Sequence, residues 1–159
     1  MAAMTNILVK DDAATPVEYT FIPVTDTPIP FWRTQIANVP LEGQMRLYMS
    51  SVQLKNLSWK NTIKLEVPVM ETLGASGTSA GYVAPPKVAY VNTTIVTQFA
   101  DRRSTGQDRA NSLRLCIGVV QGANNTTGSG TLANTALGSV WIGSTAPGPV
   151  LFTAVVVPN

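Results

Sequence analysis

The chain has 159 residues, 45% of them hydrophobic and 13% charged, with 11 basic side chains against 9 acidic ones. That length suits one domain whose core forms without metal or disulfide staples, and a net charge of +2 excludes a basic arm with which a single copy could grip nucleic acid. With Cys116 as the lone cysteine and no histidine, a Cys/His zinc site and the Ser-His and Cys-His nucleophile pairs are excluded as well.

The sequence also lacks a G-x-S-x-G elbow and a G-x-x-x-x-G-K-[ST] phosphate loop. Asp11, Asp12 and Asp101 fall in turn-like stretches without an acid-base partner. The expectation is a protein that is not an enzyme and needs no cofactor or metal. The start, MAAMTNILVK, has no basic segment leading into a long apolar run, so no secretory signal is expected. The apolar stretch Val150 to Val157, broken by Thr153, is far short of the roughly 20 residues that span a bilayer. A soluble chain without a membrane partner is therefore expected.

Taken in order, the chain reads as strands followed by a helix. Asn6 to Lys10 and Val17 to Val24 flank the turn chemistry of Asp11 to Ala14, which predicts an N-terminal hairpin within residues 1–30. Pro23, Pro28 and Pro30 then favour an edge or a loop, and Phe31 to Ile36 predicts a short strand.

Between Arg46 and Val69 two alternating segments flank Asn56 to Asn61. Pairing Lys55 with Thr62 sets Gln53 across from Lys64 and Ser51 across from Glu66. Ser50, Val52 and Leu54 then lie with Ile63, Leu65 and Val67. This register predicts one polar face and one aliphatic face, the pattern of an antiparallel sheet covered on one side. Val88 to Gln98 predicts a further strand with Tyr90, Asn92 and Thr94 on one side. Glu71 to Pro86, with Gly74, Gly77, Gly81 and Pro85-Pro86, predicts a flexible loop.

After Asp101 the period changes to 3.6. Ser104 or Thr105 can cap a helix from Gln107 to Val120 with Gly122 beyond it. Ala110, Leu113, Cys116, Ile117 and Val120 form a stripe fit to cover the aliphatic sheet face, which predicts a packed Cys116 thiol. Leu115 and Val119 lie on another flank and need a second surface, either the chain's own tail or another subunit. Asn124 to Gly130 reads as a loop, Thr131 to Ser139 as a second short helix and Val150 to Val157 as a terminal strand or arm.

The segment Asn61 to Pro68 (NTIKLEVP), the Gly-rich loop, Tyr90-Val91-Asn92 within VAYVNTTIVTQFA and the helix near Asp108 to Val120 together resemble the coat proteins of single-stranded RNA bacteriophages, the levivirus group. The likeness is good over residues 45–122, loose in the N-terminal hairpin and poor in the tail. It implies an α+β fold in one domain, 1–159: a hairpin in 1–30, a sheet in 31–100 with its loop at 71–86, a helix in 104–122 and a variable segment in 123–159. It further implies a homodimer, with Leu113, Leu115, Cys116 and Val119 at the interface and the two sheets joined edge to edge. Such dimers close into an icosahedral, T=3 shell that packages single-stranded genomic RNA, part of a virion assembled in the cytoplasm of a bacterial host.

The resemblance also implies that the inner face binds a genomic RNA hairpin and represses translation, through Ser51, Gln53, Thr62, Lys64, Tyr90 and Asn92. Tyr90 would stack on a base, Asn92 and Thr62 would bond base edges or sugars, and Lys64 would meet a phosphate. Two departures stand out. The turn around Trp59 is a residue shorter than in the best-known members, and Met49 sits where a small hydroxyl residue would line a base pocket. A non-viral β-rich binding module that uses the polar sheet face is the competing reading.

Overall fold

The structure is a computed structural model that describes residues 3–11, 15–71, 86–120, 151 and 154–157. Its strands are β1 (Ile7–Lys10), β2 (Glu18–Thr25), β3 (Phe31–Thr34), β4 (Arg46–Gln53), β5 (Trp59–Met70) and β6 (Val88–Ala100), and the helix α1 spans Gly106–Val120. They form a six-stranded sheet whose spatial order follows the sequence, β1-β2-β3-β4-β5-β6. Every neighbour is thus a chain neighbour, as short connections favour. The expected hairpin, sheet strands and helix are all present, α1 starting one residue earlier than the sequence suggests.

The chain divides into two compact units, one of Met1–Met4, Met49–Thr62 and Thr97–Asn159, the other of Thr5–Tyr48 and Ile63–Val96. In the second unit, Ile7 pairs with Phe21 and Lys10 with Glu18, and the Asp11 carboxylate caps the hairpin turn by accepting from the Val17 amide at 2.8 Å. β2 pairs with β3 through Phe21–Thr34 and Pro23–Trp32, then shifts register before Thr25–Phe31. Pro23 thus pairs with Trp32 on one side and lies beyond Phe21, where β1 ends, so it holds a locally one-sided place beside the bulge, as proline in a sheet requires.

Phe21, Trp32, Thr34 and Leu47 form the core of this unit. The Trp32 indole N–H is satisfied by the Thr5 carbonyl at 3.0 Å. Gln44 is buried with every side-chain group used: its Oε1 accepts from the Thr34 hydroxyl and the Ile36 amide, and its Nε2 donates to the carbonyls of Ile36 and Val39. Gly43 lies so close to Met70 and Val39 that a Cβ there would collide with both side chains.

In the first unit Met49, Ala100, Ala110, Leu113 and Leu151 are buried. Gln98 on β6 donates its Nε2 to the Arg109 carbonyl of α1 at 2.9 Å, tying strand to helix. The helix opens on a reciprocal cap: the Asp108 amide donates to Thr105 Oγ1, and the Thr105 amide donates back to the Asp108 carboxylate. These bonds, the backbone one first, hold the Asp108 carboxyl below its ordinary range. Of the two expected caps, Thr105 is the one used.

Cys116 is exposed, which corrects the expectation of a packed thiol. The inward face centres on Ala110, Leu113 and Ile117, and at 100° per residue Cys116 falls on its flank. The Gly-rich loop from 72 to 85, Gly122, the loop at 124–130 and the second helix expected at 131–139 lie outside the described residues. Within the expected terminal strand, Leu151 is helical and fully buried, Ala154 is in a turn and residues 155–157 carry no strand. Val155 has φ 58°, a left-handed value that no β-strand accepts.

Candidate nucleic-acid interface

The register of β4 on β5 differs from the one the sequence suggests. The Leu54 amide donates to the Ser58 carbonyl and the Leu57 amide to the Leu54 carbonyl, so the hairpin closes over Lys55, Asn56 and Leu57 alone. Leu57 takes φ 66°, the left-handed third position of a three-residue hairpin loop. In the first unit the same register sets Ser51 across from Asn61, with the Ser51 hydroxyl donating to Asn61 Oδ1 at 2.7 Å. In the second unit it sets Tyr48 across from Lys64, whose ammonium nitrogen is 5.6 Å from the centre of the Tyr48 ring.

The pairing expected from the sequence, Lys55 with Thr62, is therefore replaced by one offset by an odd number of residues, and this turns β4 over. Ser51 and Gln53 lie on the side of β4 that carries Met49 and Leu47, and not on the side that meets Thr62 and Lys64. The polar side instead carries Arg46, Tyr48 and Ser50. Met49, 3% exposed, is a core residue, and Tyr48 and Ser50 are its polar-side neighbours. The reason is the turn: Asn56 and the left-handed Leu57 permit a tight loop, and the six-residue connection is not used.

In the second unit, β3 adds to this polar side. Phe31 pairs with Tyr48 and Arg33 with Arg46, and the Phe31 and Tyr48 rings stack at 4.8 Å between centroids. Lys64 forms an ion pair with Glu66 at 2.5 Å, two residues on along the same strand. The Glu66 hydrogen bond and charge hold the Lys64 ammonium above its ordinary pKa. Its cation is thus engaged on both sides, by a carboxylate and by an aromatic ring.

Tyr90 is 58% exposed and Asn92 is exposed, two residues apart on β6 and so on one side of it. The Glu71 amide donates to the Lys87 carbonyl at 2.8 Å. Extending that pairing sets Asn92 across from Glu66, the side of Lys64. In the first unit the hydroxyls of Thr62 and Thr97 meet at 3.4 Å.

Sequence reasoning missed Phe31, Arg33, Arg46 and Tyr48. The alternation of the strands would have found Arg46 and Tyr48 once the loop was shortened to three residues. A depression lined by Arg33, Ile36, Val39, Leu41 and Gln44 has a volume of about 240 Å³, below the roughly 300 Å³ at which small-molecule sites begin. Among the described residues there is no cluster of three or more metal-ligating side chains and no helix long and apolar enough to cross a membrane.

On α1, Leu113 is buried, whereas Leu115 is 69% exposed and Cys116 is exposed. The Val119 side chain lies outside what the structure describes. On β6, Val91, Ile95 and Phe99 are exposed at 48%, 57% and 66%.

Comparison with known proteins gives consistent matches. The family described as levivirus coat protein matches residues 2–139. The capsid protein of Pseudomonas phage PRR1 is 33% identical over 110 residues, covering 69% of this chain and 79% of that protein. The solved virus-like particle of bacteriophage EMS014 is 40% identical with a TM-score of 0.70, and 99% of each chain is covered. The capsid protein of bacteriophage GA, at 18% identity and a TM-score of 0.53 over 76% of this chain and 86% of that one, shares the fold.

Proposed function

Because the chain belongs to the levivirus coat protein family and is thus a capsid component of a phage virion and no enzyme, we propose that it forms a homodimer, closes into an icosahedral T=3 shell and packages single-stranded RNA. Assembly takes place in the bacterial host cytoplasm. The reading of self-association rests on one observation above all, the outer edge of β6. That strand is 13 residues long and ends the sheet, and among the described residues no strand pairs with its outer side. Val91, Ile95 and Phe99 stand exposed along it, and Leu115 and Cys116 stand exposed on α1. A long, apolar, open edge invites pairing, and a second copy across a twofold axis supplies the same surface in return.

The polar strand side is the RNA surface in this reading. In the second unit Lys64, Tyr90 and Asn92 contribute to it together with Tyr48, and in the first unit Thr62 and Ser50 do, with Ser51 and Gln53 left out. Hairpin binding and translational repression belong to the same proposal, with Tyr90 stacking on an unpaired base and Asn92 and Thr62 bonding base edges or sugar hydroxyls. A near-neutral chain can hold RNA in this way because many copies act on one polymer.

Electron microscopy of the recombinant protein, with nuclease treatment of the particles, tests the proposal. Uniform shells with protected RNA are the expected result. Soluble monomers alone would reject the shell, and empty shells would reject packaging.

A further inference from the structure

Two buried amide atoms of the first unit have no hydrogen-bond partner among the described residues: Nδ2 of Asn61 on β5 and Oε1 of Gln98 on β6. Buried polar groups are ordinarily paired. The other end of each side chain is committed, for Asn61 Oδ1 accepts from the Ser51 hydroxyl at 2.7 Å and Gln98 Nε2 donates to the Arg109 carbonyl at 2.9 Å. A carbonyl only accepts, so the Gln98 amide cannot be turned round and its oxygen is the free end. Thr62 and Thr97, whose hydroxyls meet at 3.4 Å, share one side of the β5–β6 pair. Asn61 and Gln98 are their chain neighbours, and alternation puts both on the opposite side, across from each other on adjacent antiparallel strands. That side is the one of α1, which Gln98 holds through Arg109. An unpaired donor and an unpaired acceptor thus lie together under the start of the helix.

We propose that Asn61 and Gln98 hold one enclosed water, which accepts from Asn61 Nδ2 and donates to Gln98 Oε1 and so completes a polar relay of Ser51, Asn61, water, Gln98 and the Arg109 carbonyl, from β4 through β5 and β6 to α1. The two free atoms decide the class of ligand. A cation is repelled by the Nδ2 hydrogens and an anion by Oε1, whereas a neutral hydroxylic molecule satisfies both. Both atoms are closed to solvent within the single chain, so a side chain of a second copy does not reach them and the guest has the size of water. The relay gives α1 a fixed seat on the sheet at Arg109. Apolar contacts such as those of Ala110 and Leu113 let a helix slide, and directional hydrogen bonds do not.

The test is a crystal structure of the full-length protein at a resolution that shows ordered water, joined to a double-mutant cycle. One water within hydrogen-bond distance of both Asn61 Nδ2 and Gln98 Oε1 is the expected result. The two amides in direct contact, apolar groups between them, or a group of a second copy between them would each overturn the site. Gln98→Met and Asn61→Leu should each lower the urea midpoint, and the double variant should lower it by less than the two losses added, because either single change strands the remaining partner. Additive losses would mean that the two amides do not share a ligand. Gln98→Met alone keeps the proposal open to refutation where Asn61→Leu does not fold: its crystal structure should lack the water and retain the bond between Ser51 and Asn61, and a water kept in place without Gln98 would reject the relay.

Discussion

Ser51 on β4 donates its hydroxyl proton to Oδ1 of Asn61 on β5 at 2.7 Å, and Asn61 is completely buried. This bond sits at the first unit's sheet core, on the side that carries Met49. Asn61→Ala would leave the Ser51 hydroxyl unpaired and open a cavity. A loss of about 2–3 kcal/mol is expected, read as a lower urea midpoint. Ser51→Ala should cost about 1–2 kcal/mol, because the buried amide then loses its bond. An unchanged midpoint in both would mean that the pair does not hold the register.

Gln44 uses both donors and both acceptor sites of its amide against the backbone and Thr34. Gln44→Glu would turn the donor end toward two carbonyls and bury a charge. A loss of about 3 kcal/mol or more is expected at neutral pH. Burial raises the pKa of the introduced carboxyl in the folded chain above its unfolded value, so the folded state binds the extra proton and stability falls as pH rises. Unfolding curves at pH 4 and pH 7 check this: the variant should recover part of its loss at the lower pH.

Leu57 occupies a left-handed position at φ 66° and leaves 47% of its surface in water. Leu57→Gly relieves a strain of roughly 1 kcal/mol and removes little buried area. The urea midpoint should rise. A fall would mean that the leucine side chain contributes packing that outweighs the relief.

The cap at the start of α1 titrates with Asp108. Its folded pKa is depressed by the Thr105 amide and hydroxyl, so its contribution is present above the unfolded carboxylate pKa and is lost as pH falls through the depressed value. Protection of the first-turn amides of α1, taken as exchange relative to the intrinsic rate at the same pH, should fall below about pH 4, and Asp108→Asn should flatten that acid limb. Thr105→Ala should cost about 1 kcal/mol at neutral pH.

Cys116 and Leu115 face outward on the single chain. If α1 packs on a second copy, the Cys116 thiol should react with a maleimide in dissociated subunits and be protected in assembled particles. Equal rates in the two states would remove Cys116 from the interface.

Alternation and turn chemistry in the amino-acid sequence were enough to locate the hairpin, the strands and the helix. They did not locate the register of β4, because a loop length decides it. The loop needs a left-handed Leu57, which leucine rarely supports, so the sequence favours a six-residue connection as much as the three-residue one. The two registers differ by an odd number of residues, which exchanges the two sides of one strand: Ser51 and Gln53 lie away from the side of Lys64, and Tyr48 and Arg46 take their place. The Phe31–Tyr48 and Arg33–Arg46 pairs depend on strands well separated in the chain, and no local periodicity marks them. The exposure of Cys116 has a similar reason. A stripe drawn at 100° per residue has soft margins, and the packing of Ala110 and Leu113 decides where they end.

The two borders of the sheet are unequal. β1 has only 4 residues and finishes on Lys10 opposite Glu18, whereas β6 runs for 13. A border so short, with a charge at its end, is a poor template for further strands, and a copy that docks along β6 would consume the long one on both molecules. Strand addition would then stop at two, which would keep copies of the chain from growing into a fibre.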